Sequence, residues 1–164
     1  VASVWSNSKG LDKFIELAMI LPSDMKIVMV GGLNSKISLP KNIIHISETH
    51  NVNELVEYYS MADVYVHLSP EETFGKVIAE AMSCGTPVIV FNSTACPEIV
   101  VDKSGIILNE EKTSDVLEAI LTIRKNDKSF YTKNAINRVH ENFNATLIKQ
   151  DFTILYEQIK NYVG

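Results

Sequence analysis

Arginine is scarce in this chain, and its scarcity limits the possible partners. The 164 residues include only Arg124 and Arg138, both in the C-terminal part, and the formal net charge is −5. The lysines are scattered rather than clustered, so the sequence lacks the basic patch that nucleic-acid binding requires. We therefore expect no nucleic acid partner, while a local phosphate site stays compatible with this charge.

Cysteine and metal-ligand motifs are sparse as well. Cys84, on the apolar arc of a predicted helix, and Cys96, in a predicted loop, are the two cysteines, and neither belongs to a C-x-x-C or cysteine–histidine pattern. Reduced thiols in a cytoplasmic protein are the simplest interpretation. His45, His50 and His140 have no metal-ligating partners at useful spacing. There is no Asp-x-Asp motif either, so we expect neither a metal nor another cofactor.

Long apolar runs and a dinucleotide fingerprint are also missing. No stretch is apolar over the 18 or more residues that a membrane span needs, and no signal peptide is visible. The segment Gly31-Gly32-Leu33-Asn34-Ser35 lacks the G-x-G-x-x-G pattern, which argues against a dinucleotide-dependent dehydrogenase. The chain begins at Val1 inside an apparent strand, so we interpret it as a fragment cut at a domain boundary.

Short apolar runs alternate with helical segments along most of the chain. Apolar residues make up 46% of the sequence, enough for one domain with a core. The pattern predicts strands near 1–5, 26–31, 43–47, 63–68, 87–91 and 105–108, and helices near 11–21, 52–61, 75–84 and 113–125. This order predicts an α/β fold: a Rossmann-like, doubly wound parallel sheet of about six strands with helices on both faces. We expect one domain over 1–164, with a sheet core over 1–125 and C-terminal helices over 126–164.

Some residues are expected to serve packing alone. Asn51 or Asn53 is placed to cap the helix near 52–61. Trp5 at a strand end is interpreted as core, and His67 as a core or loop histidine in preference to a site residue. The last helix carries a broad apolar arc that must cover something: Leu147, Ile148, Phe152, Leu155 and Ile159.

Glu72 and Glu80 form the most informative pattern in the sequence. Glu72 follows the buried run that ends at Ser69-Pro70, where open α/β sheets bind ligands, and Glu80 lies in the next helix. Eight helical residues would separate the carboxylates by roughly 12 Å, whereas two glycosidase carboxylates lie roughly 5 to 9.5 Å apart. Two acids at opposite ends of an extended polar ligand, such as a nucleotide sugar, fit this spacing better.

The start of this helix adds a second feature. The backbone N–H groups of Phe74, Gly75 and Lys76 lie at its N-terminus, which favours phosphate or a developing anion. A structural alternative stays open, because Lys76 and Glu80 are four residues apart and can form a surface ion pair worth about 0.2 to 0.5 kcal/mol.

Several motifs in register resemble one known family. Glu72 to Glu80, continued by Ala81-Met82-Ser83-Cys84-Gly85-Thr86-Pro87 and then by Pro97-Glu98, resembles the E-x7-E signature of family 4 glycosyltransferases with the GT-B fold. Lys9-Gly10 resembles the phosphate loop of that family. The similarity runs from Val1 to about residue 109. It identifies the chain as similar to the C-terminal nucleotide-sugar-binding domain, one half of a GT-B fold, in glycosyl transferases group 1.

The resemblance implies a role for each matching residue. Glu72 is the implied catalytic residue and holds hydroxyls of the donor sugar, Glu80 binds the ribose hydroxyls, and Lys9 binds the diphosphate. The implied donor-binding set also includes the start of the helix and a base-contacting loop: Thr73, Phe74, Gly75, Lys76, His45 and Ile46.

Two departures from the family pattern affect the expected site. Ser3 stands about where the family usually has an arginine, so Lys9 lacks the bidentate partner that a diphosphate clamp normally includes. Ala95-Cys96 stands where the family often has Gly-Gly, near the expected donor sugar.

The function implied for the whole enzyme is retaining transfer of a sugar from a nucleotide-diphosphate sugar to an acceptor hydroxyl in polysaccharide or glycoconjugate synthesis. The acceptor, a sugar or glycolipid, would bind an N-terminal domain absent from this chain, which alone should turn over little. We expect the full-length protein in the cytoplasm or at the inner membrane surface. Two rival interpretations are a GT-B-scaffold epimerase or phosphorylase, and a non-catalytic nucleotide-binding module.

Overall fold

The alternation of apolar runs and helical segments folds into parallel strands with helices between them. The computed structural model describes residues 1–101, 103–146, 148–149, 152–155 and 158. The strands are β1 (Ile27–Val30), β2 (Ile43–Ile46), β3 (Tyr65–His67), β4 (Val88–Phe91) and β5 (Gly105–Leu108). The helices are α1 (Leu11–Ile20), α2 (Val52–Met61), α3 (Lys76–Ser83), α4 (Cys96–Ile99), α5 (Thr113–Asn126) and α6 (Ser129–Asn142).

Strand β4 lies at the centre of a three-stranded parallel sheet, between β3 and β5. All four of its residues are buried, and they alternate between two hydrophobic clusters. Ile89 and Phe91 face one cluster, while Val88 and Val90 face the other. A strand that is apolar on both faces must be covered on both, as in doubly wound folds. The predicted fold class, with parallel strands and helices on both sides, is therefore confirmed.

The two clusters correspond to two layers of helices. On one face, α1 and α5 contact each other and supply Phe14, Leu17, Val116 and Ile123 to the cluster with Ile89. On the other face, α3 packs against α6 and α2. Asn51 caps α2, where its side chain accepts the Asn53 N–H. Trp5 packs edge-on to Phe14, which confirms the expectation that it belongs to the core.

Strands β1 and β2 form a second parallel sheet of two strands. The predicted strand over 1–5 is wrong in extent, because this segment forms only an isolated bridge between Val4 and Gly32 and one backbone hydrogen bond from the Ala2 N–H to the Val30 carbonyl. The bridge lies beyond the end of β1, so the segment does not continue as a ladder along β1. Residues of β1 and residues around β3 both line a cavity of about 620 Å³. The described residues thus contain five strands in two sheets instead of about six in one.

The C-terminal part is helical, as predicted, where it is described. Beyond α6, residues 145–146, 148–149, 152–155 and 158 are helical. Leu147 and Ile159, two members of the predicted apolar arc, lie outside the described residues, whereas Phe152 and Leu155 are 68% and 50% exposed. No helix in the described ranges has the length and apolar character that a membrane span requires.

The buried position of β4 leads to a stability prediction. We expect Ile89→Ala to lower the free energy of unfolding by about 2 to 5 kcal/mol, because it empties a fully buried site. Ile107→Ala on neighbouring β5 is the matched control, since Ile107 is already 36% exposed. Denaturant unfolding would compare them, and an equal loss in both variants would contradict the burial of Ile89 in the core.

Candidate functional site

A short loop before α1, which includes a 3₁₀ turn over Asn7–Lys9, carries Lys9 and packs on the end of β3. Gly10 has φ of 74°, and a Cβ built on it would lie 2.5 Å from the Leu68 carbonyl oxygen. Only glycine suits a position with both that φ and that close approach. The buried Ser69 hydroxyl donates to the Ser8 carbonyl at 2.8 Å, which ties the loop to the strand end. Lys9 therefore starts from a backbone that is fixed against β3.

This packing brings Lys9 and Glu72 together across 63 positions of sequence. Lys9 Nζ lies 3.6 Å from Glu72 Oε2, and the two side chains are 40% and 16% exposed. The second oxygen, Oε1, accepts the Thr73 N–H at 3.2 Å. The structure thus places two of the predicted site residues in contact at the carboxyl end of a parallel sheet, where open α/β folds bind ligands.

The loop after β4 holds the main chain of Glu72. Thr94 Oγ1 accepts the Glu72 N–H at 2.9 Å, and the Ala95 N–H donates to the Glu72 carbonyl at 3.4 Å. Cys96 was predicted to lie in this loop, but it is the first residue of α4 and is buried. Burial raises the pKa of the Cys96 thiol, so it is a packing residue. The Ala95-Cys96 departure therefore lies directly beside Glu72.

The N-terminus of α3 follows directly from Glu72. Gly75 precedes the helix with φ of 83°, and a Cβ there would lie 2.8 Å from Ile78 Cδ1. No protein group in the described part of the chain accepts from the N–H of Phe74, Gly75 or Lys76. Such N–H groups, with the helix dipole behind them, attract anions. The Phe74 ring packs edge-on to Phe143 and is 45% exposed.

Glu80 is engaged on both of its oxygens. The Tyr59 hydroxyl donates to Oε2 at 3.0 Å, and Lys76 Nζ lies 3.5 Å from Oε1. The ion pair expected from the spacing therefore exists, and it leaves the ligand role of Glu80 open. Burial first, and then the neighbouring charges, raise the pKa of Tyr59, so that its hydroxyl remains a donor at neutral pH. Sequence reasoning missed Tyr59, whose only signal was an aromatic on the buried face of α2.

His67 lies beside the same carboxylate as Lys9. It is 7% exposed, as the core interpretation predicts, yet its Nε2 lies 3.5 Å from Glu72 Oε2. Burial lowers the pKa of His67 to about 4; the Glu72 charge opposes this shift and Lys9 adds to it. The imidazole is therefore neutral at pH 7. Both interpretations of His67 apply in part, because the ring is buried and also faces the cluster.

Other predicted residues lie apart from this cluster. His45 Nε2 contacts the Gly31 carbonyl at 2.7 Å, and in the described chain neither His45 nor Ile46 contacts Lys9 or Glu72. Ser3 is exposed, and its carbonyl accepts the Gly32 N–H at 2.9 Å. Over the described residues, no three histidine, cysteine, aspartate or glutamate side chains are grouped to hold a metal ion. The expectation of metal-independent chemistry stays a prediction.

The fold and the polar cluster define the class as a doubly wound α/β domain with its candidate site at the carboxyl ends of parallel strands. The model of the family described as Glycosyl transferases group 1 matches residues 2–139, and the chain belongs to that family. A glycosyltransferase of Methanocaldococcus jannaschii is 23% identical over 168 residues, covering 93% of this chain and 43% of that protein. The sulfoquinovosyl transferase of Arabidopsis thaliana is 33% identical over 125 residues, covering 70% and 24%.

Solved structures agree on the fold. HepE of Anabaena, in complex with UDP, superposes with a TM-score of 0.80 at 21% identity, covering 93% of this chain and 46% of that one. The sucrose-phosphate synthase of Thermosynechococcus elongatus gives a TM-score of 0.79 at 25% identity, covering 96% and 44%. The chain thus spans less than half the length of these relatives, and its fold is half of a GT-B glycosyltransferase.

The Tyr59–Glu80 hydrogen bond leads to a stability prediction. We expect Tyr59→Phe to lower the free energy of unfolding by about 1.5 kcal/mol, since it removes a bond to a partly exposed charged group. Tyr58→Phe is the control, because Tyr58 is half-buried on the same helix and its hydroxyl makes no hydrogen bond within the described residues. Equal thermal or denaturant stability of the two variants would count against the bond.

The burial of His67 leads to a pH prediction. The folded protein takes up this proton near pH 4 and the unfolded chain near 6.5, so the unfolded state binds more protons between these values. Stability should therefore fall as the pH drops from 6.5 to 4, and this part of the loss should disappear in His67→Gln. Denaturant unfolding at several pH values would measure it, with exposed His140→Gln as control. Identical pH slopes for the wild type and His67→Gln would overturn the prediction.

Proposed function

We propose that this domain binds the nucleoside diphosphate sugar donor of a glycosyltransferase at the cluster around Glu72. The observation that carries the proposal is the 3.6 Å approach of Lys9 Nζ to Glu72 Oε2, beside the α3 N-terminus. A lysine and free backbone N–H groups suit a diphosphate, while a carboxylate suits sugar hydroxyls. The juxtaposition therefore fits a ligand that contains both groups.

The relatives support the same ligand class. HepE, whose fold this chain shares, is known in complex with UDP, with UDP and glucose, and with UDP-glucose. The capsular polysaccharide biosynthesis glycosyltransferase CapM of Staphylococcus aureus is 25% identical over 162 residues. The HepE ligands favour a nucleotide-sugar donor, and the description of CapM favours a role in polysaccharide or glycoconjugate synthesis.

We assign to each residue the role that the family resemblance implies. Lys9 and the N–H groups of Phe74, Gly75 and Lys76 bind the diphosphate, with Thr73 beside them. Glu72 accepts from hydroxyls of the donor sugar. Glu80, oriented by Tyr59, accepts from the ribose hydroxyls. His45 and Ile46, at the end of β2, contact the base.

In the whole enzyme, we propose transfer of the sugar to an acceptor hydroxyl with retention of anomeric configuration. As the glycosidic bond breaks, negative charge grows on the departing nucleoside diphosphate. Lys9 and the dipole of α3 stabilise that charge more strongly in the transition state than in the ground state, which is what accelerates a reaction. No step requires a metal ion. The acceptor, a sugar or glycolipid, binds a domain outside this chain, so the isolated domain binds donor weakly and turns over little.

The site of action proposed for the full-length enzyme is the cytoplasm or the inner membrane surface. Two cysteines that are free in the structure fit a reducing compartment. A glycolipid acceptor would account for peripheral attachment to the membrane surface.

Calorimetric titration of this domain with UDP, GDP and ADP, each free and as its glucose conjugate, tests the proposal. We expect one base to be preferred, and Lys9→Ala to weaken binding of its diphosphate by tenfold or more, since charged hydrogen bonds contribute about 1.5 to 3 kcal/mol. Glu80→Ala should weaken both forms of that nucleotide. Glu72→Ala should spare the free diphosphate and abolish discrimination between the two forms.

Matched controls separate site effects from general charge effects. Lys41→Ala removes an exposed lysine elsewhere, and Glu71→Ala removes the exposed acid next to Glu72. Both controls should bind like the wild type. The proposal fails if no nucleotide binds, or if Lys41→Ala and Glu71→Ala weaken binding as much as the site variants do.

A further inference from the structure

His67 has a feature that packing alone does not explain. Its Nε2 is buried and has no hydrogen-bond partner, and Ser93 Oγ is the one other such side-chain atom in the described part of the chain. Buried polar atoms in folded proteins are normally paired, because leaving one unpaired is destabilising. The ring stacks near Tyr65 on β3, and its Nε2 lies 3.5 Å from Glu72 Oε2.

The surroundings of Glu72 show what this atom can do. Thr94 and Ala95 hold the backbone of Glu72, and its Oε1 already accepts the Thr73 N–H. Oε2 has two nearby nitrogen atoms, Lys9 Nζ at 3.6 Å and His67 Nε2 at 3.5 Å, each slightly beyond hydrogen-bond distance. Hydrogen bonds in sites without ligand are often long and tighten when the ligand binds.

Lys9 and His67 differ in what they offer to this oxygen. The Lys9 side chain is 40% exposed and, on the proposed function, turns toward the diphosphate when donor binds. The His67 ring is 7% exposed, and among the charged and aromatic groups around it, which are Glu72, Lys9, Tyr65 and the Val1 amino group, Glu72 is the one anion. Its neutral form donates a hydrogen bond without cancelling the carboxylate charge, so Glu72 remains a strong acceptor for a sugar hydroxyl.

We propose that His67 is a positioning residue, whose Nε2–H donates to Glu72 Oε2 in the donor-bound domain and orients that carboxylate for the donor sugar. This inference rests on the proposed function for its ligand. It assigns to a core-like histidine a part in sugar recognition, while the nucleoside diphosphate is bound without its help.

Two variants test the inference through binding. His67→Phe keeps an aromatic ring beside Tyr65 and removes the donor, whereas His67→Gln keeps a side-chain N–H. Titration with UDP and UDP-glucose should show that His67→Phe binds UDP within about twofold of the wild type and UDP-glucose about tenfold more weakly, the loss of one charged hydrogen bond. His67→Gln should recover most of the UDP-glucose affinity. A parallel loss for both ligands, or equal affinities of the Gln and Phe variants for UDP-glucose, would show a merely structural role.

A measurement without ligand keeps this inference separate from the proposed function. Nitrogen-15 NMR of the imidazole in the wild-type protein at pH 7 should show a protonated Nε2, with a resonance that shifts in Glu72→Gln and stays unchanged in Glu71→Gln. An unprotonated Nε2 would overturn the positioning role even if nucleotides bind. A protonated, Glu72-sensitive Nε2 in a protein that binds no nucleotide would support the contact and refute the proposed function.

Discussion

The contact between the Ser8–Gly10 loop and the end of β3 is the constraint on which the candidate site depends. Gly10 approaches Leu68 so closely that no side chain fits, and the buried Ser69 hydroxyl bonds to Ser8 across 61 positions of sequence. Lysine has a long and flexible side chain, so a fixed backbone is what restricts the positions of its ammonium group. The meeting of Lys9 with Glu72 therefore results from main-chain packing before any charge attraction acts.

Each glutamate of the candidate site lies near a different lysine, and this pairing sets the net charge that an anionic ligand encounters. Lys9 lies near Glu72, and Lys76 lies near Glu80. The two pairs are formally neutral, so a diphosphate would meet little net repulsion from them. The dipole of α3 would add an attraction for the anion. With Ser3 where an arginine is usual, this cluster lacks a bidentate fork. The proposed diphosphate would therefore be held by point charges and backbone N–H groups, which give less geometric selectivity.

Features of the molecule that depend on local sequence were easier to predict than features that depend on contacts between distant segments. The E-x7-E spacing singled out Glu72 and Glu80 as candidate site residues, and the residue type of Asn51 predicted that it caps α2. Apolar residues predicted a strand over 1–5, but strand formation depends on a partner, and this segment meets β1 only at its last residue, Val30, and just beyond it. Tyr59 and Thr94 were not predicted for the same reason, because each forms a hydrogen bond with a glutamate more than 20 positions away.

The loop after β4 explains why Glu72, and not Lys9, is the fixed point of the site. Thr94 has φ of 49°, an unfavourable region for a β-branched residue. The energetic cost of this conformation is offset by two hydrogen bonds that it allows. The Thr94 hydroxyl accepts the Glu72 N–H, and the Ala95 N–H donates to the Glu72 carbonyl. With both main-chain groups held, the Glu72 side chain has few directions left, while the more exposed Lys9 retains freedom to follow a ligand. In the proposed function, sugar recognition therefore depends on the rigid partner of the pair, and diphosphate binding on the adaptable one.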